Sequence, residues 1–199
     1  MTKLRSIALA LAATVSLTAA AFAESAPKEF WVYFGTYTGP VSKGIYRSRF
    51  DAATGHLSAP ELAATMSSPS FLALHPRGNV LYAVNENSTP TRETATGIGS
   101  FSLNASTGAL TLLNQQSIGG DGACHVSIDR EGKTAMVANY NSGTLAAIRL
   151  EADGRFGALG SVVQHTGSSV NPTRQKEPHA HSIYPTADNR FALACDLGL

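Results

Sequence analysis

A sixteen-residue unit occurs three times in this chain, and it restricts the fold more than any other feature. The copies begin at Ser70, Cys124 and His181 and close at Asn85, Asn139 and Asp196. Each reads as a β-hairpin. In the first, Phe71 to Leu74 is one strand, His75 to Asn79 the turn and Val80 to Val84 the return strand. Gly78, Gly132 and Asn189 share the turn position where a residue tolerating positive φ is wanted. The return strands, Val80 to Val84, Thr134 to Ala138 and Phe191 to Cys195, are nearly all apolar. Such runs predict strands buried on both faces, as when sheets stack on sheets.

A second hairpin pattern fills the space between units. Gly44 to Phe50, Gly97 to Leu103 and Thr144 to Leu150 each lead through a polar, Gly-containing turn to a new apolar start. Each period therefore holds about four antiparallel strands, which is one blade of a β-propeller. The expected class is all-β, since no stretch after Ala23 carries a capped helical pattern. Asn87 to Thr96 and Gly167 to Pro178 read as loops on one face of the blades.

The N-terminus reads differently. Lys3 and Arg5 precede an apolar run from Ile7 to Leu17, and Ala21-Phe22-Ala23 is a small-x-small cleavage site. Residues 1–23 are expected to be a secretory signal peptide, its apolar run too short to span a membrane comfortably, and residues 24–199 the propeller domain. The expected location is periplasmic or secreted. Removing the signal leaves 13 basic and 14 acidic side chains with no long run of one sign. That balance argues against nucleic acid or an anionic membrane surface as a partner. Cys124 and Cys195 are the two cysteines; an exported protein can join them, and two buried free thiols are the other reading.

Phe30 to Thr38 matches a return strand and its exit but has no hairpin partner before it. Three blades do not close a ring, since propellers have four to eight. A fragment of a longer propeller is expected, inactive by itself.

Four stretches together carry a family resemblance: FGTYT from Phe34 to Thr38, NYNSG from Asn139 to Gly143, RQKEPHAHS from Arg174 to Ser182, and DLG from Asp196 to Gly198. From about Phe30 to Leu199 the chain resembles the propeller-type lactonases, which include bacterial 6-phosphogluconolactonases. The resemblance implies seven blades, about twice this length, hydrolysis of a small-molecule sugar lactone, and a site at the mouth of the central channel. It implies no cofactor, and a monomer is expected at full length. A related fungal enzyme cyclises a carboxymuconate, and its proposed catalytic histidine falls at the position of His181.

Position one of the unit, held by Ser70, Cys124 and His181, opens the innermost strand near one channel mouth. Lactone hydrolysis needs a base for water, an acid for the leaving alkoxide and positive charge or N–H donors for the oxyanion. His181 suits the first two, because histidine changes charge near neutral pH. Arg174 suits the third, or a substrate phosphate or carboxylate. His179 and Gln175 are expected to bind substrate. His179 and His181, two apart on a strand, face one side; that spacing also fits two metal ligands or two structural histidines, although no third ligand is evident and no metal is expected. Arg174 can instead pair with Glu177, and Gln175 can bond loop backbone. His125 and Asp196 read as structural, the latter as a turn cap. Ser70 lacks a nucleophile-elbow context. Two other functions stay open: a non-catalytic propeller that binds a ligand or partner protein, and a carboxymuconate cyclase-like enzyme.

Overall fold

The computed structural model describes residues 28–86 and 97–199. The signal segment and the Asn87 to Thr96 loop lie outside these residues. Thirteen strands are formed among the described residues and no helix. The first sheet holds β1 (Glu29–Phe34), β2 (Gly44–Asp51) and β3 (Glu61–Thr65), in that order. The second holds β4 (Leu72–Leu74), β5 (Val80–Val84), β6 (Ile98–Leu103) and β7 (Leu110–Gln116). The third holds β8 (Ala123–Ile128), β9 (Thr134–Asn139), β10 (Thr144–Leu150) and β11 (Phe156–Gln164). The fourth is the pair β12 (Ala180–Pro185) and β13 (Ala192–Asp196). All pairings are antiparallel between sequence neighbours, so each sheet is a meander, the blade that the repeat predicts.

Alternation along the return strands explains their apolar sequences. In β5, Val80, Tyr82 and Val84 pack with Val126, Val137, Ile148 and Phe156 of the third sheet. Leu81 and Ala83, between them, pack with Ile45, Met66 and Phe101 towards the first sheet. In β9, Ala135 and Val137 face the second sheet, while Met136 and Ala138 pack on Ala180 and Ile183 of β12. Period-2 geometry thus sends successive side chains into two different inter-sheet cores.

The third return strand departs from expectation. It begins at Ala192 rather than Phe191, and β13 is exposed along nearly its whole length, with Phe191 61% and Leu193 64% accessible. Among the described residues no sheet stacks on it, so its apolar side chains have nothing to bury against. Cys195 shares that exposure, which corrects the reading of two buried thiols; both cysteines are free, and no disulfide joins them. β1 is an edge strand paired only to β2, as its missing hairpin partner requires.

The turn prediction holds at all three copies. Gly78, Gly132 and Asn189 have φ of 70°, 68° and 59°. These turns also interlock the blades. His75 packs its Nε2 3.2 Å from the Gly132 carbonyl. Asn189 accepts from Arg130 N at 3.1 Å and donates to Asp129 Oδ2 at 3.1 Å. The substitution of Asn for Gly keeps the left-handed turn and adds two bonds to the preceding blade.

Tyr82 carries one of several buried polar atoms left unpaired among the described residues. Tyr82 is 0% exposed and its hydroxyl has no hydrogen-bond partner among the described residues. An unpaired buried hydroxyl costs about 1–3 kcal/mol, so Tyr82→Phe is expected to leave stability unchanged or raise it by up to about 1 kcal/mol. Urea unfolding of parent and variant measures this; a clear loss of stability would contradict it.

Candidate functional site

β4, β8 and β12 occupy the same edge of their sheets, and they pack side by side. They are the inner strands. Phe71, Val126, Ile128 and Tyr184 help line a hollow of about 370 Å³ between them. Position one of the repeat stands at one end of these strands, the end where β5, β9 and β13 run out. The hairpin turns stand at the other.

At the first of these ends, the residue that follows the third-sheet unit gathers three of the expected site residues. Tyr140 stacks on His179, with ring centroids 4.5 Å apart and planes at 14°. His181 meets the same Tyr140 ring edge-on at 5.9 Å. Arg174 donates from Nη2 to the Tyr140 hydroxyl at 3.2 Å. His179 Nδ1 lies 3.1 Å from the Tyr140 carbonyl oxygen. A carbonyl only accepts, so Nδ1 carries the proton, and in the neutral ring Nε2 is left as an acceptor. His181 itself is exposed, placing its imidazole at the mouth in contact with solvent.

Gln175 is held by its own loop and by the exit from β13. Its Oε1 accepts from Asn171 N at 3.0 Å, and its Nε2 donates to Leu197 O at 3.2 Å. Arg174 bonds to Tyr140 rather than to Glu177. Below the cluster, Asp196 fixes the approach to β12. Its Oδ1 accepts from His179 N at 2.7 Å and Gly198 N at 2.8 Å. Its Oδ2 pairs with His165 Nδ1 at 2.7 Å. The capping role expected of Asp196 is present, and His165 is an addition that sequence spacing did not suggest. Gly198 is needed for close approach, since a Cβ there would overlap the Glu177 carbonyl and crowd His179 N.

Burial tends to raise the Asp196 carboxyl, but the bonds from His165, His179 N–H and Gly198 N–H outweigh it and hold the group below its usual range. A carboxyl lowered on folding stabilises fully above its unfolded value, near 4, and that contribution fades as pH falls through the folded value. Asp196→Asn is therefore expected to lower the melting temperature at neutral pH and to flatten the acid side of the stability curve. Melts from about pH 6 down to about pH 3 measure it; parallel curves for parent and variant would contradict the assignment.

His125 is structural, as its position predicts. It is buried between the Phe71 and Tyr184 rings, at 4.3 and 4.5 Å, and its Nδ1 accepts from Ile183 N at 3.3 Å. Burial, with the neighbouring His181 charge, pushes it down to about 4, so it stays neutral. Cys124 lies against the Ala180 and His181 carbonyls at 3.5 and 3.6 Å. Burial, reinforced by the Glu86 carboxylate, pushes its thiol up to about 12 and removes it as a nucleophile. Among the described residues no three His, Cys, Asp or Glu side chains converge as a metal set.

A family model described as lactonase, 7-bladed beta-propeller, matches residues 31–199. The chain belongs to this lactonase family. A 6-phosphogluconolactonase of Bacillus subtilis is 33% identical over 167 residues, covering 84% of this chain and 46% of that protein. Among solved structures, a Bacteroides fragilis protein described as a candidate 6-phosphogluconolactonase is 33% identical with a TM-score of 0.79, over 87% of this chain and 47% of the other. A periplasmic gluconolactonase of Pseudomonas aeruginosa is 31% identical with a TM-score of 0.77, over 85% and 48%. The chain spans about half the length of the curated relatives it matches. In this chain Tyr140 is the candidate site residue that motif reading passed over. Its signal was present, inside the same NYNSG segment that carries the resemblance.

Proposed function

We propose that the whole protein hydrolyses a sugar lactone outside the cytoplasm. The observation that carries this reading is the convergence of Arg174, His179 and His181 on Tyr140 at the mouth of the inner strands. The reaction places a water between His181 and the lactone carbonyl carbon. His181 takes a proton as the water oxygen bonds to that carbon. Arg174 holds the resulting oxyanion, and the ring C–O bond then breaks. The protonated His181 returns its proton to the leaving alkoxide, giving the open hydroxy acid. Tyr140 positions this set: its hydroxyl accepts from Arg174, which leaves the hydroxyl proton to donate to substrate. His179 offers Nε2 to a sugar hydroxyl, and Gln175 serves by holding the loop from which Arg174 projects.

The 6-phosphogluconolactonase names among the relatives support a sugar lactone as substrate. The signal-like residues 1–23 and the periplasmic relative support export. Phosphorylated sugars are confined to the cytoplasm, so an unphosphorylated aldonolactone is the better substrate for an exported enzyme. The test is hydrolysis of glucono-δ-lactone by the whole protein and its His181→Ala variant, against the buffer rate. Hydrolysis no faster than buffer, or equal in both proteins, would sink the reading. The 199-residue chain alone is expected to be inactive in the same assay, because it spans about half the length of the curated relatives it matches.

A further inference from the structure

A second polar cluster stands one blade away at the same mouth, and it contains a carboxylate. Glu86 follows β5 at the repeat position that Tyr140 holds after β9. Tyr37, on the exit from β1, donates to Glu86 Oε2 at 2.9 Å. The hydroxyl of Ser70, at position one of its unit, donates to the same oxygen. Both of these bonds fall on Oε2, and the residue is only partly buried. Two donors on one oxygen fix the carboxylate plane and leave the other oxygen to accept.

Between Ser70 and His181 stands Cys124, the position-one residue of the third sheet, the same sheet whose β9 leads out to Tyr140. Its sulfur lies 3.6 Å from the His181 carbonyl oxygen, and it also feels the Glu86 carboxylate. Cys124 is an inert spacer, so the mouth is a continuous strip: Glu86 with Tyr37 and Ser70, then Cys124, then Tyr140 with His181 and Arg174. Negative charge lies at one end and positive charge at the other.

We propose that Glu86 is a specificity-determining residue that binds the hydroxyl-bearing end of the lactone substrate. The proposal rests on the lactone-hydrolase reading and extends it. Sugar hydroxyls are donors, and a pre-oriented carboxylate accepts from them strongly. The polyhydroxylated part of the ring lies over Cys124 towards Glu86, while the carbonyl faces His181 and Arg174. An anionic phosphate on the hydroxyl-bearing end would meet the Glu86 charge at close range, so the strip favours an uncharged polyol end.

The test uses Glu86→Gln, which keeps shape and removes charge. First, D-gluconate and D-glucitol are titrated into the whole protein by calorimetry, which requires no turnover. Glucitol is expected to bind the parent and to bind the variant about ten- to a hundred-fold more weakly, the range of a charge-assisted hydrogen bond. Second, kcat/KM is measured on glucono-δ-lactone and on δ-valerolactone, which has no hydroxyls. The variant is expected to lose its rate on the first mainly through KM and to match the parent on the second. Equal glucitol affinity in parent and variant, or no binding to either, would overturn the proposal, as would equal losses on both lactones. Polyol binding that depends on Glu86 without any lactone hydrolysis would retain the subsite and sink the proposed reaction instead.

Discussion

Replacing His181 with alanine is expected to lower kcat for lactone hydrolysis by about two to four orders of magnitude, the usual contribution of a positioned general base and acid. The residue is exposed, and its ring contact is the edge of Tyr140 at 5.9 Å. The alanine variant should therefore keep the parent's melting temperature to within about 1–2 °C, since surface changes rarely exceed about 0.5 kcal/mol. Loss of rate without loss of fold separates a catalytic imidazole from a structural one. KM should move little, because Arg174, Tyr140 and His179 remain in place to bind. The pH profile adds a second check: the base-dependent limb of kcat should disappear in the variant, leaving only the slow hydroxide reaction. A variant that hydrolyses at the parent's rate would transfer the base to another residue, with His179, whose Nε2 is free to accept, next in line.

The largest expected effect on stability is at Phe101. Its ring is 1% exposed and fills the space between the first and second sheets with Ile45, Met66, Leu81 and Ala83. The site is tight, since a Cβ on Gly99 would already stand 3.1 Å from the Phe101 ring and 3.2 Å from Met66. Phe101→Ala is expected to cost about 3–5 kcal/mol, combining lost transfer energy with the cavity left behind. Met66 is flexible enough to move part-way into the gap, which places the value towards the lower end. Urea denaturation gives the number directly, and a loss below about 1 kcal/mol would mean that this inter-sheet core is not packed as described. The loss should also loosen the mouth at Ser70 and Glu86, because β4 and β5 rest on this cluster through Leu72, Leu81 and Ala83.

The strands themselves were legible because repeated apolar runs bounded by turn residues leave few alternatives. Val80 to Val84 was read to the residue, and the positive φ at Gly78, Gly132 and Asn189 followed from residue type alone. Exposure was not legible in the same way. Phe191 to Cys195 has the composition of a strand buried on both faces and lies exposed, because burial belongs to the neighbouring sheet and not to the strand. The site was legible in part. Arg174, His179 and His181 stand in one nine-residue motif, and the structure brings them to one ring. Tyr140 lies 34 residues from Arg174 and 39 from His179, and no local pattern links a return-strand exit to the loop of the next blade.

The sequence by itself determined the blade. Its four-strand period, its turns and the change from Ser70 to Cys124 to His181 at one repeat position are local facts, carried by residues close together in the chain. Only the tertiary structure decided what those positions meet. Stacking the sheets turns sequence separations of 54 and 57 residues into neighbours around one mouth, so that Tyr140 can organise Arg174 and two histidines while Glu86, with Tyr37 and Ser70, lies across Cys124. The physical reason is that each blade buries its two faces against different partners, and the contacts that define the site form only where those blades adjoin.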